Sequence, residues 1–191
     1  MKKQKPEKGC YGYIRYQKRI RIVRTILFFA AAVAIYLAGY FLNDGDKRNI
    51  YTIIAMLGVI PGSLSCVSAI MMCMRKPMDS GLYREISDAA GSLEMAYELY
   101  FTTHDTNLYV DAAAVANDTV AAFTHEDVKQ DVIQFMENHI EKSLRASGYR
   151  RKVKIFRNEK QFLERLRQME AKGGSNEEDL AARRSMLALV L

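Results

Sequence analysis

The chain has 191 residues, of which 49% are hydrophobic, with three Pro and three Cys. This composition excludes collagen-like, disulfide-rich and wholly disordered chains, and leaves room for one sizeable core or two small domains. The formal charge of +6 is concentrated at one end. Residues 1–24 carry nine bases against Glu7, while 75–191 carry 17 bases against 19 acids, so the pI describes a basic leader and not the basic domain that nucleic-acid binding needs.

Residues 25–42 and 50–74 contain no charged side chain. At 1.5 Å per residue both stretches suit a hydrocarbon core of about 30 Å, the second with some tilt. The first is longer than the apolar region of a signal peptide, and the second follows within seven residues, so both are expected to be transmembrane helices. The short loop at 43–49, with its Asn-Asp-Gly-Asp turn chemistry, demands an antiparallel hairpin. The bases before the first span and Arg75 and Lys76 after the second place both termini in the cytoplasm of a multi-pass cell-membrane protein.

Lys18, Arg19, Arg21 and Arg24 lie at the membrane surface on this reading, setting topology or resting on anionic lipid. Ala30, Ala34 and Ala38 form one small-residue stripe. Gly58 and Gly62 form a GxxxG pair, with Cys66 one turn on. Both patterns let helices approach in lipid, within the hairpin or, alternatively, in a homo-dimer. Pro61 is expected to kink the second helix. Neither span holds an ionisable residue, which disfavours a carrier. Ser63, Ser65 and Ser68 leave an oligomeric pore or transport accessory subunit as a further alternative.

Beyond Arg75 the pattern is that of a small cytoplasmic domain over 80–172. Residues 80–94 read as an amphipathic helix with Leu82, Tyr83, Ile86, Ala90 and Leu93 inward. Residues 95–103 alternate, with Met95, Tyr97, Leu99 and Phe101 expected on one face. His104–Asn107 is a turn, 108–116 a second strand, and Asn117-Asp118 a tight turn into a third strand over 119–124. Thr124 is expected to cap a helix whose stripe is Val128, Val132, Phe135, Met136, Ile140 and Leu144, stopped by Gly148. Residues 152–156 are a fourth strand. Asn158 caps a helix with Phe162, Leu163, Leu166 and Met169 in the core. After Gly173-Gly174, Ser175-x-x-Glu178 reads as the capping box of a last helix over the 173–191 tail.

The order α-β-β-β-α-β-α is an α+β domain with helices packed on one small sheet. Acids dominate 85–141 and bases 150–172, so the two halves are expected to meet and partly neutralise each other. The sharper reading makes Arg150, Arg151, Lys152, Lys154 and Arg157 a basic face for membrane or RNA, but no aromatic interleaving at RNA-platform spacing supports it, and nucleic acid is not favoured.

Signals for chemistry are few. Cys10, Cys66 and Cys73 contain no CxxC, and the three His residues (His104, His125, His139) lack metal-ligand spacing, so no metal and no cofactor is expected. P-loop, GxGxxG and GxSxG motifs are missing. The strand order is shared with restriction-endonuclease-like nuclease cores, where an Asp on the second strand and E-x-K on the third hold a divalent metal. Asp111 fits the first position, but 119–124 has neither carboxylate nor Lys. Asp111 is therefore a candidate polar site rather than a catalytic residue, and no catalytic set is assigned.

The whole chain resembles a family of small two-span membrane proteins of Clostridia-type Gram-positive bacteria. The likeness is carried by Gly12-Tyr13-Ile14, Gly39-Tyr40, Leu57-Gly58-Val59-Ile60-Pro61-Gly62-Ser63, residues 97–103, Gly148-Tyr149 before 153–156, and residues 162–166. It covers residues 9 to 170 and implies architecture, not chemistry. The sequence thus points to a membrane-anchored cytoplasmic protein-binding domain, adaptor or regulatory, with a diverged nuclease-like enzyme as the alternative.

Overall fold

The computed structural model describes residues 5–43, 46, 49–103 and 106–190. Six helices and four strands follow in the order α1 (Tyr13–Leu42), α2 (Ile50–Met74), α3 (Ser80–Ala90), β1 (Glu94–Thr102), β2 (Asn107–Ala116), β3 (Thr119–Phe123), α4 (Gln130–Ala146), β4 (Lys152–Phe156), α5 (Glu159–Ala171) and α6 (Glu177–Ala188). The α+β class is as expected. The chain divides into two units: residues 14–77, and a domain made of residues 1–13 with 78–191.

In the first unit both helices are long and apolar enough to cross a membrane. The first starts twelve residues earlier than the uncharged stretch, so Arg15, Lys18, Arg19, Arg21 and Arg24 stand on helix. The second starts at Asn49, whose side chain accepts from the Thr52 N–H (3.0 Å), and runs through Pro61 without a break. The turn residues 44, 45, 47 and 48 lie outside the described set, as does the His104-Asp105 turn.

The domain is a four-stranded sheet between two helix pairs. Strand order is β1-β2-β3-β4, with β1, β2 and β3 antiparallel and β4 parallel to β3. One face packs on α4 and α6 through Ile133, Met136, Ile140, Leu144, Ala182 and Met186. The other packs on α3 and α5 through Ile86, Ala90, Phe162, Leu166 and Met169. β2 lies inside the sheet and is buried along nine of its ten residues. Its run Ala112-Ala113-Ala114 keeps both faces low, which lets helices pack closely on each side. Asn117 (φ 51°) and Asp118 (φ 58°) make the tight left-handed turn expected between β2 and β3.

Several sequence expectations are corrected. Met95 and Tyr97 face the α3/α5 core, whereas Leu99 and Phe101 face the α4/α6 core. The alternation slips because Glu98 between them has a positive φ of 55°. β2 slips at the same level, with Val110 on the α4/α6 side and Ala112 on the other. Since Tyr97 pairs with Ala112 and Leu99 with Val110, Glu98 and Asp111 stand opposite each other at this step.

Thr124 does not cap α4, which starts six residues later. Its hydroxyl bonds the Tyr109 carbonyl instead (2.7 Å). Phe135 points outward and Val132 is half-buried, because the inward stripe runs through Ile133. The last capping box is Asn176 with Asp179, while Ser175 bonds the Val115 carbonyl (2.6 Å) and the Glu94 N–H (2.7 Å).

Both edges of the sheet meet other segments. Along β1, Gly9 O accepts from Tyr97 N–H (2.8 Å), Arg183 Nε donates to Met95 O (2.6 Å), and Val190 bridges Phe101. Tyr11 stacks on Tyr83 (4.0 Å), which meets Tyr97 edge-on, and Lys8 donates to the Val190 carbonyl. Residues 7–11, at the start of the basic 1–24 leader, group with the domain. The tail docks here too, with Met186 and Val190 buried. Along β4, Glu137 accepts from Ile155 N–H (2.8 Å) and pairs with Lys154 (3.4 Å).

The acidic and basic halves meet. Besides Lys154–Glu137, the Arg151 side chain, 5% exposed, pairs with Asp118 and with Asp179 (3.0 Å), itself 1% exposed. Removing one partner of a buried pair strands the other charge at a cost of about 3–5 kcal/mol. Thermal unfolding should thus show Arg151→Ala destabilised by about 3 kcal/mol or more, and Asp118→Ala, on an 82%-exposed carboxylate, by under about 1 kcal/mol.

Candidate functional site at Asp111

Asp111 is 1% exposed near the end of the sheet where β3 and β4 finish. Its neighbours come from the slip in the strands and from the segment after β3. The ladder of β3 with β2 ends at Phe123, although the Thr124 N–H still donates to the Phe156 carbonyl of β4 (3.0 Å), and the segment then meets β2 through side chains. Thr124 Oγ1 donates to Tyr109 O and accepts from Glu126 N–H (3.1 Å). Glu126 in turn accepts from Tyr109 N–H (3.3 Å). Asp111 then accepts from the His125 backbone N–H (2.9 Å) and lies 2.8 Å from His125 Nδ1 through either oxygen.

A carboxylate at Nδ1 favours the tautomer with the proton there, which leaves Nε2 as the free ring nitrogen. The His125 side chain is 47% exposed, so that nitrogen is open to solvent. Glu98, 4% exposed, accepts from Met78 N–H (3.1 Å) and anchors the start of the domain after the hairpin. Chemically, the arrangement can orient an imidazole for proton exchange. Glu98 stands across the ladder from Asp111 but its carboxylate bonds the Met78 N–H, and among the described residues no three His, Cys, Asp or Glu side chains converge as a metal would require.

Tyr109 is buried between these groups, its ring edge-on to His125 (5.8 Å), and its hydroxyl has no hydrogen-bond partner among the described residues. Burial, then the charges of Asp111, Glu98 and Glu126, push its ionisation far above the ordinary tyrosine range. Tyr97, on the same strand pair, is pushed up to about 12, chiefly by burial.

The remaining polar clusters differ in kind. A groove of about 660 Å³ between α3 and α5 is lined by Glu85, Asp88, Arg167 and Glu170. Glu159 bonds Glu85 there, which raises the Glu159 carboxyl. A cleft of about 440 Å³ holds Arg145, Arg150, Arg151 and Lys152 with Asp118 and Glu141. Two of its four cations are paired: Arg151 with Asp118 and Asp179, Arg145 with Glu141 (3.3 Å). Of the proposed basic face, Arg157 bonds the Val128 carbonyl (3.2 Å) and Gln130 (3.3 Å), and Lys154 pairs with Glu137.

Within the hairpin unit, Gly58 and Gly62 face α1: a Cβ at Gly58 would lie 3.8 Å from Ala32, and one at Gly62 3.6 Å from Phe29. Ala30, Ala34 and Ala38 are exposed, while Ala32 and Gly39 are the buried small residues of α1. Lys18 donates to Cys73 O (3.0 Å) and Arg21 to Ser68 Oγ (2.9 Å), while Arg19 and Arg24 are exposed. Ser65 meets Thr25 (3.0 Å), and Ser63 bonds Val59 O within its own helix (3.0 Å).

Sequence reasoning placed Asp111 but missed Glu98, Tyr109 and the role of His125. The available signal was a Glu in the middle of a largely apolar strand, opposite the one Asp of the next. No family model, no curated protein and no solved structure matches the chain.

Two outcomes follow from the buried phenols. Tyr109→Phe removes an unpartnered buried hydroxyl, whose burial costs about 1–3 kcal/mol, and should leave the melting temperature unchanged or higher. Because folding raises the ionisation of both phenols, their contribution to stability is complete below about pH 10 and is lost as pH rises through that value towards 12 and beyond. Alkaline unfolding followed by tyrosinate absorbance should show Tyr97 and Tyr109 ionising only with unfolding.

Proposed function

We propose that the protein is a membrane-anchored binding domain, an adaptor or regulatory module on the cytoplasmic side of the cell membrane with both termini cytoplasmic. The observation that carries this reading is how the apolar hairpin is joined to the domain. Both junctions are hydrogen-bonded into the sheet: Gly9 O to Tyr97 N–H before α1, and Met78 N–H to buried Glu98 after α2. A domain held at both ends of two membrane-length helices is a surface mounted for display, with a protein as the partner that suits it. Lysine and arginine placement supports the orientation. The likeness to two-span membrane proteins of Clostridia-type bacteria supports the same architecture.

The serine hydroxyls engaged inside the hairpin weigh against the pore or transport reading. One observation lends support to a diverged nuclease-like enzyme: the element order α-β-β-β-α-β, with Asp111 on the second strand, resembles that of restriction-endonuclease-like cores. Against it, Asp111 is committed to His125, and β3 (TVAAF) offers neither the second carboxylate nor the Lys.

Alkaline carbonate washing should leave the chain in the membrane pellet, and protease added to spheroplasts should leave the domain intact. In crosslinked pull-downs from native membranes, a protein captured by the full chain but not by a hairpin lacking 80–191 is the expected result. Identical captures would overturn the protein-binding reading. Metal-dependent cleavage of DNA or RNA lost in Asp111→Asn would establish the enzyme reading instead.

A further inference from the structure

The domain exposes one large apolar side chain among the described residues, Phe135 at 44%; every other exposed one lies in the hairpin. Phe135 is in the middle third of α4, on the face opposite the buried Ile133, Met136, Ile140 and Leu144. The His139 ring lies nearly parallel to it (6.3 Å, 10°), so the two present a continuous aromatic surface. Helical spacing puts half-buried Val132 along the same stripe, with exposed Asp131 and Lys142 beside it.

We propose that this face of α4 is a contact between two copies of the chain, with the helices packed antiparallel about a two-fold axis at Phe135. Such an axis sets residues equally far before and after Phe135 against each other. Asp131, four residues before, then meets His139, four after, and symmetry makes this contact twice. Val132 meets Asn138, and Phe135 meets itself. No like charges face each other, and the antiparallel helix dipoles are complementary. A parallel arrangement would place Asp131 on Asp131, which disfavours it.

One helix pair falls below the roughly 1,200 Å² of a stable interface between free proteins. Two copies held in one bilayer need less, because confinement raises their effective concentration. The inference therefore rests on the membrane-anchored reading.

Site-directed crosslinking in membranes tests it. In the full chain with Cys10, Cys66 and Cys73 changed to Ser, Phe135→Cys should give a disulfide dimer several-fold above that of Glu164→Cys, an exposed position on α5. Asp131→Cys and His139→Cys should link to each other when co-expressed and not when expressed alone. Self-linking of either, or equal yields at Phe135 and Glu164, would overturn the packing. As a second measurement without added cysteines, single-molecule photobleaching of the full chain in native-lipid particles should show two steps, falling to one in Phe135→Glu. Two steps unchanged in that variant would place the contact elsewhere and overturn the proposal. A chain that leaves the pellet on carbonate washing would instead overturn the anchored reading. A chain that stays in the pellet without a Phe135→Cys dimer would overturn the α4 contact alone.

Discussion

Two buried carboxylates facing each other at one level of a β-ladder organise the rest of the domain. Glu98 and Asp111 stand between the Tyr97–Ala112 and Leu99–Val110 pairs, and both strands change phase there. Neither carboxylate could point into an apolar core without donors, since an uncompensated buried charge costs several kcal/mol. The slip, with Glu98 at positive φ, is the backbone distortion that brings each to a donor. Glu98 reaches the Met78 N–H at the junction with α2, and Asp111 reaches two N–H groups of His125. One irregularity thus fixes where the domain begins and how the chain leaves β3.

The β1 edge of the same sheet is covered, and the β4 edge is met by Glu137. An open edge is a ready template for strand addition, and proteins that bind peptides this way keep one accessible. Here the β1 edge is occupied by Ser175, Arg183, Gly9 and Val190, and the β4 edge by Glu137. The exposed groups of the domain lie instead on helix faces and loop ends, among them Phe135 on α4 and His125 at the end of the sheet. Edge cover also ties the amino-terminal segment to the last helix, because Gly9 (φ 84°) approaches Leu187 so closely that a Cβ would clash.

Most of the architecture was legible in the sequence because it rests on local rules. Uncharged runs gave two membrane-length helices, Asn117-Asp118 gave a tight turn, and Asn158 capped α5. What was not legible depends on long-range partners. Strand alternation was read through Glu98 as if it continued, and only the opposing Asp111 reveals the step. Thr124 looked like a cap because Glu126 and Asp127 follow, but the Tyr109 carbonyl on the neighbouring strand claims its hydroxyl. Phe135 fitted the helical stripe as well as Ile133 did, and the turn between β3 and α4 decides which faces inward. At the site, Asp111 stood out as a charge in an apolar strand, whereas His125 needs the fold to reach it.

The hairpin illustrates the same division between pattern and partner. Three serines in an apolar helix can line a water path or bond within protein, and sequence alone does not choose. Here each hydroxyl has a partner: Ser63 the Val59 carbonyl, Ser65 the Thr25 hydroxyl, Ser68 the Arg21 guanidinium. The Ser65 and Ser68 pairings cross between the helices and so stabilise α1 against α2 and set their register, whereas that of Ser63 stays within α2. Arg21 matters most, because a guanidinium bonded to Ser68 on the facing helix draws the basic end of α1 along α2 instead of leaving it free in the headgroups. Lys18 on the Cys73 carbonyl extends the seam by one turn. The basic cluster of α1 is thereby also part of what holds α1 to α2.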